Sequence, residues 1–240
     1  MADYYVYGRN AVRECLRSGA AKTLFTRSRH MGDELVKIAT SLKVAVKTVE
    51  DRDLDRLAGV SGKHQGFVCL AKAPEMVSLR DLIRATKGKE NPLIVILDGI
   101  EDPANLGAIL RSCDAFGVDG VIIKNTGGVS LNSTVAKVST GAVMYVPVCG
   151  VANLSQAISE LKDSRYWIIA SDGSATKDYD EVDYKGPVAL VVGSEGFGIS
   201  RLVLQNSDLV VKIPMAGHVN SLNASVATGI LLSQVALSRK

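Results

Sequence analysis

Aromatic residues make up only 5% of the 240-residue chain, so its core must rest on Val, Ile, Leu and Ala. Cores of that kind suit α/β proteins, whose buried parallel strands read as aliphatic runs. The four cysteines, Cys15, Cys69, Cys113 and Cys149, form no C-x-x-C pair, which leaves no thiol-based zinc or redox motif. Each has apolar neighbours in sequence, so the expectation is a reduced core thiol in a cytoplasmic protein. His218 has no second histidine nearby and no carboxylate at ligand spacing, so no metal is expected. No apolar run reaches membrane-spanning length, and Asp3, Arg9, Arg13, Glu14 and Arg17 are wrong for a signal peptide.

Hydrophobic residues, by contrast, reach 47%, enough to bury a sizeable core. The net charge of +3 is unevenly spread. Residues 1–75 carry 13 Lys and Arg against 9 Asp and Glu, a net of +4; the rest carry 15 against 16, a net of −1. A basic front part suits a polyanionic partner, although so small an excess also fits an ordinary soluble surface.

Helix-like and strand-like segments alternate along the chain. In front, helices are expected over Arg9–Arg17, Asp33–Leu42 and Arg52–Ala58, and strands over Thr23–Thr26, Val44–Val49 and Phe67–Ala71. Pro74 marks a boundary, which gives a first domain at 1–73 and a connecting segment with one helix at 74–91. From 92 to 240 strands are expected at Leu93–Leu97, Gly120–Ile123, Val146–Val148, Trp167–Ala170, Val188–Val192 and Leu209–Ile213. Helices fall between them, and a long one, Leu222–Ser238, closes the chain. Such alternation predicts an open parallel sheet covered on both faces. Ligands of such sheets bind beyond the carboxyl ends of the strands.

Three stretches fall at those ends. The first runs from Leu97 to Arg111, a strand end leading through a turn into a helix. Asn105 could cap that helix, whereas Arg111 stands among Ile109, Leu110 and Cys113, where a solvated charge is unexpected and a carboxylate or phosphate partner is the usual answer. The second, Val188 to Gly198, is an apolar strand ending in a glycine-rich turn that holds Glu195. Its glycines, Gly193, Gly196 and Gly198, match neither G-x-G-x-x-G nor a P-loop, which argues against a nucleotide-dependent oxidoreductase. The third, Val211 to Ser225, places Ser221 and Asn223 where the last helix begins; helix capping alone would explain them.

Taken together, Asn105-x-Gly107-x-x-x-Arg111, Gly193-Ser-Glu195-Gly196 and Ile213-Pro-Met215 with Ser221-Leu-Asn223 resemble the three motifs of the SpoU (TrmH) family of RNA 2'-O-ribose methyltransferases, within the SPOUT superfamily. Tyr7-Gly-Arg-Asn-Ala-Val12 and His64-Gln-Gly66 resemble the front extension of bacterial members that methylate a guanosine ribose in 23S ribosomal RNA. The resemblance implies an L30-like RNA-binding domain before a SPOUT domain with a trefoil knot, S-adenosylmethionine as cofactor, and a homodimer. It implies Arg111, Asn105, Glu195, Ser221 and Asn223 as catalytic-site residues. It also implies Gly193, Ile213, Leu222, Gly141, Gly196 and Met215 around the cofactor. The front domain would select the RNA, with Arg9, Arg13, Lys22, Arg27 and Arg29 as candidate phosphate contacts. Transfer RNA as substrate, or an RNA-binding protein without catalysis, are the alternatives.

Overall fold

The computed structural model describes residues 3–125, 130–218 and 221–240. They group into two compact units. One takes the described residues of Met1–Glu75 and Ser130–Tyr145, the other those of Met76–Val129 and Val146–Lys240.

In the first unit the chain runs β1 (Asp3–Tyr7), α1 (Arg9–Arg17), β2 (Ala21–Thr26), α2 (Glu34–Ser41), β3 (Ala45–Thr48), α3 (Asp51–Ala58) and β4 (Phe67–Lys72). The sheet order is β1-β4-β2-β3, with β4 antiparallel to both neighbours and β2 parallel to β3. α1 buries Ala11, Val12, Cys15 and Leu16 along one face, the helical spacing expected. Edge strand β1 was not foreseen. Its sequence, Asp-Tyr-Tyr-Val-Tyr, offers no aliphatic run, and its pairing with β4, from Asp3 opposite Lys72 to Tyr7 opposite Val68, is long-range.

His64-Gln65-Gly66 acts as a latch in this unit. The Gly66 N–H donates to His64 Nδ1 at 3.0 Å, and His64 Nε2 lies 3.2 Å from Asp55 of α3. Gln65 Oε1 accepts from the Arg9 N–H at 2.9 Å and so satisfies a donor left open at the start of α1. The helix Ser133–Val138, α6 in chain order, also belongs to this unit. Lys137 lies over the Tyr7 ring, and burial holds its ammonium below the usual lysine range.

The second unit holds α4 (Leu79–Thr86), β5 (Leu93–Asp98), α5 (Pro103–Ala115), β6 (Gly120–Lys124), β7 (Val148–Val151), α7 (Leu154–Asp163), β8 (Trp167–Ser171), β9 (Lys177–Asp178), β10 (Val188–Gly193), α8 (Arg201–Asn206), β11 (Leu209–Lys212) and α9 (Ala224–Ser238). Its seven strands are all parallel, in the order β7-β6-β5-β10-β8-β11-β9. β5 and β10 are the aliphatic runs that the sequence announced, and every residue of β5 is buried. Alternation within β5 puts Ile94 and Ile96 into one core with Ile158, Leu161 and Ile168. α5 and α9 pack against each other and bury Leu106, Ile109, Leu110, Leu231 and Leu232. Each such side chain contributes about 1.5–3 kcal/mol of burial energy.

Two boundaries differ for clear reasons. β7 starts at Val148 rather than Val146, because Pro147 has no N–H for the ladder and only its carbonyl is used, by Val121. α6 ends at Val138 rather than at Thr140, the end expected for a helix starting at Ser133, because Thr140 and Gly141 turn left-handed at φ 51° and 97°.

Candidate functional site

The carboxyl ends of β8, β10 and β11 meet the start of α9, and a cleft of about 160 Å³ opens there. Gly193 ends β10, and the chain turns sharply at once: Ser194 N–H donates to Gly198 O at 3.2 Å and Gly198 N–H to Ser194 O at 2.9 Å. The backbone comes so close that a Cβ at Gly193 would lie 2.2 Å from the Gly198 carbonyl carbon. Only glycine fits there. Asp98, buried at the end of β5, fixes the far side of the turn by accepting from the Ser200 N–H at 2.8 Å. Asp98 carried no signal in the sequence, since a strand-ending Asp looks like any turn residue.

The tip of that turn carries Glu195. Its Oε1 accepts from Asn105 Nδ2 of α5 at 2.9 Å and from Asn223 Nδ2 at 2.5 Å, while Asn223 Nδ2 also donates to Asn105 Oδ1 at 2.9 Å. Three side chains, 90 and 28 positions apart along the chain counted from Glu195, thus close one hydrogen-bonded cluster. Asn223 has a second task. Its Oδ1 accepts from the Ser225 and Val226 N–H groups at 2.9 and 3.4 Å, which caps α9. The capping oxygen fixes which end of the amide is which, and so aims the NH₂ group at Glu195.

Asn105 does not cap α5. Asp102 does, accepting from the Ala104 N–H at 3.0 Å, with Pro103 in the first turn, where a missing N–H is harmless. Asn105 sits within the first turn and is free to reach Glu195. Arg111 is six residues on, about 120° round the helix from Asn105. It is exposed, although Ile109, Leu110 and Cys113 beside it in sequence are buried, and it makes no ion pair among the described residues. The expected carboxylate partner is therefore not found for it among the described residues.

Gly193, Glu195, Ile213, Met215, Ser221 and Leu222 line the cleft together with Ser171, Asp172, Gly173 and Ser194. Ser171, Asp172 and Gly173 were missed, because the end of β8 has no distinctive pattern. Gly196 stands in the same turn outside the lining, and Gly141 lies in the first unit, where its Cβ position would meet Glu14 at 2.4 Å. Two carboxylates, Asp172 and Glu195, and no Lys or Arg face the cleft among its described lining. That chemistry favours a ligand with a positive centre over one rich in phosphate.

In the first unit Arg9 forms a two-pronged pair with Asp33 at 2.7 and 3.1 Å, Arg13 pairs with Glu34 at 3.2 Å and Arg27 with Asp51 at 2.5 Å. Arg29 and Lys22 are exposed. No three His, Cys, Asp or Glu side chains gather as a metal site among the described residues, and no described helix is long and apolar enough to cross a membrane.

Residues 92–233 match the SpoU rRNA Methylase family, and residues 5–77 match the substrate-binding domain of RNA 2'-O ribose methyltransferases. A protein of Staphylococcus haemolyticus described as a TrmH family tRNA/rRNA methyltransferase is 44% identical over 98% of this chain and 96% of its own. One from Bacillus subtilis, YacO, described in the same way, is 42% identical over 96% of this chain and 94% of its own. Among solved structures, an RNA 2'-O ribose methyltransferase superposes with a TM-score of 0.84 at 28% identity, over 99% of this chain and 89% of that one. The AdoMet-bound rRNA methyltransferase of Sinorhizobium meliloti gives 0.79 at 25% identity, over 97% and 86%. The chain belongs to the SpoU (TrmH) family of RNA 2'-O-ribose methyltransferases.

Proposed function

We propose that this enzyme methylates the 2'-hydroxyl of a guanosine in 23S ribosomal RNA, with S-adenosylmethionine as donor. The observation that carries the reading is the joining of Asn105, Glu195 and Asn223 beside a cleft lined by carboxylates and by no cation among its described residues. The cleft fits the cofactor: Ile213, Met215 and Leu222 offer apolar surface to an adenine, and Asp172 and Glu195 offer negative charge to a sulfonium and an ammonium. When bound, the cofactor supplies a methyl group on a good leaving group.

The protein's own work is then placement and care of one proton. Holding a hydroxyl in line with a donor is worth up to about 7–11 kcal/mol. Arg111 steadies a neighbouring phosphate and the developing alkoxide. Its exposure and its lack of a described ion pair leave its charge available for that task. The Glu195 cluster keeps the three loops in register, and Ser221, on the cleft wall, orients the nucleotide.

The same reading includes a homodimer. α9 contains no charged residue, yet Val226 and Leu237 are 50% and 58% exposed. A largely apolar helix without charge on any face belongs between two layers of protein, and a second copy supplies the missing one.

The substrate is ribosomal on the strength of the front unit, whose sequence resembles that of ribosomal RNA enzymes. Mapping 2'-O-methyl groups on total RNA, with and without the protein, tests this. One added mark on a 23S guanosine is expected. A mark in transfer RNA would replace the substrate, and a methyl on a base atom would sink the chemistry.

A further inference from the structure

Phe197 is 97% exposed, more than any other large apolar residue described. A single exposed apolar side chain is ordinary on a protein surface; the position of this one is not. It stands two residues after Glu195, at the tip of the turn that two backbone hydrogen bonds hold shut. The turn is braced at Glu195 by Asn105 and Asn223 and at Ser200 by Asp98, so the ring is carried on fixed backbone. Gly196 beside it has open space where a side chain would be. Rigid backbone, a bare ring and free room on its flank describe a platform for something flat.

The neighbouring charge says which part of an RNA would lie there. Glu195 repels phosphates, so the sugar-phosphate backbone is a poor fit near the tip. A nucleobase is flat and uncharged, and proteins read unpaired RNA by stacking splayed bases on aromatic rings. We infer that Phe197 stacks on the base of the target nucleotide or of its immediate neighbour, and that the substrate is therefore an unpaired nucleotide in a loop or bulge. The inference rests on the RNA-methylating reading above. In that reading Phe197 holds the nucleotide from the base side while its ribose faces the cleft. Stacking of this kind tolerates any base, so the ring sets affinity and pose, and sequence is chosen elsewhere.

The test uses the full-length protein and a transcribed stem-loop carrying the nucleotide that the wild type methylates. Three variants, F197A, F197L and F197W, are compared. F197A is expected to lower kcat/KM for the RNA by about 10- to 100-fold, the size of one lost base stack. F197W is expected to recover the rate and F197L to recover little, because it restores bulk without a π face. Calorimetric affinity for S-adenosylmethionine and the sedimentation coefficient should match the wild type in all three. A kcat/KM for F197A within twofold of wild type would overturn the assignment. Equal rescue by Leu and Trp would do the same. A changed sedimentation coefficient would show that the ring packs against a second copy and would likewise overturn it. Wild-type protein that transfers no methyl to any RNA would sink the function reading and this proposal with it; an active wild type with an indifferent F197A would sink this proposal alone.

Discussion

Asn223 shows how much one side chain can hold. Its carbonyl oxygen caps α9 and its amide NH₂ reaches Asn105 and Glu195, so the start of the helix and the hydrogen-bonded cluster share one residue. Asn223→Ala removes both. Loss of the cap costs about 1 kcal/mol, which in a chain of this size lowers Tm by about 2–4 °C. The loss of activity should be far larger than that melting shift implies; calorimetry and a methyl-transfer assay on the same sample would show the gap. Equal, small losses in both would mean that the residue is only a cap. Arg111 calls for the opposite pattern. Arg111→Ala should leave Tm and cofactor affinity as they are and cut kcat about 10²- to 10³-fold, the scale of one lost oxyanion donor. Near-normal kcat in that variant would remove Arg111 from the chemistry.

At the scale of elements, the turn after β10 has almost no slack. In Gly193→Ala the new methyl would strike the Gly198 and Ile199 backbone at 2.2–2.5 Å, where no rotamer can relieve it. The turn must open, so cofactor binding measured by calorimetry should be lost while far-UV dichroism stays close to wild type. A second element-level prediction concerns α2, whose cap Asp33 accepts from the Leu35 N–H and pairs with Arg9. The Arg9 bond, with the Leu35 N–H helping, holds the Asp33 carboxyl below the usual carboxylate range. A depressed folded pKa gives stability that is full above the unfolded value, near ~3.9, and lost as pH falls through the folded one. Asp33→Asn should therefore flatten the acid end of the first unit's unfolding curve. An unchanged acid limb, followed by tyrosine near-UV dichroism, would count against the pair.

The elements themselves were largely legible in the sequence. Leu93–Leu97 and Val188–Val192 were plain because aliphatic runs of strand length have few other uses. Two-residue β9 was invisible, since a pair of residues has no period to read. The motif residues were named through the family resemblance, and what each one touches could not be read from sequence. Asn105 was open to reading as a cap by its residue type, although Asp102 followed by Pro103 carries the stronger start signal. Arg111 looked buried because its neighbours are, although a turn of helix carries it to the outer face. The basic front residues looked free because their acids, Asp33 and Glu34, stand 24 and 21 positions away.

For the whole molecule, the uncharged outer face of α9, with Val226 and Leu237 exposed, is the surface that the homodimer would cover. Leu237→Glu places a charge at its more exposed end and should shift the sedimenting species from dimer to monomer. If Leu237→Glu still sediments as a dimer, the interface lies elsewhere; if the wild type is already monomeric, the homodimer falls. The cluster of Asn105, Glu195 and Asn223 also orders events in time. Asn223 opens the last helix, so an emerging polypeptide cannot complete the cluster until nearly all of the sequence shown has been synthesised and has left the ribosome. Shorter products that stop before it would keep two of the three loops and no catalytic competence. The enzyme would therefore be silent toward RNA until Asn223 has cleared the ribosome, and would gain its activity in a single step.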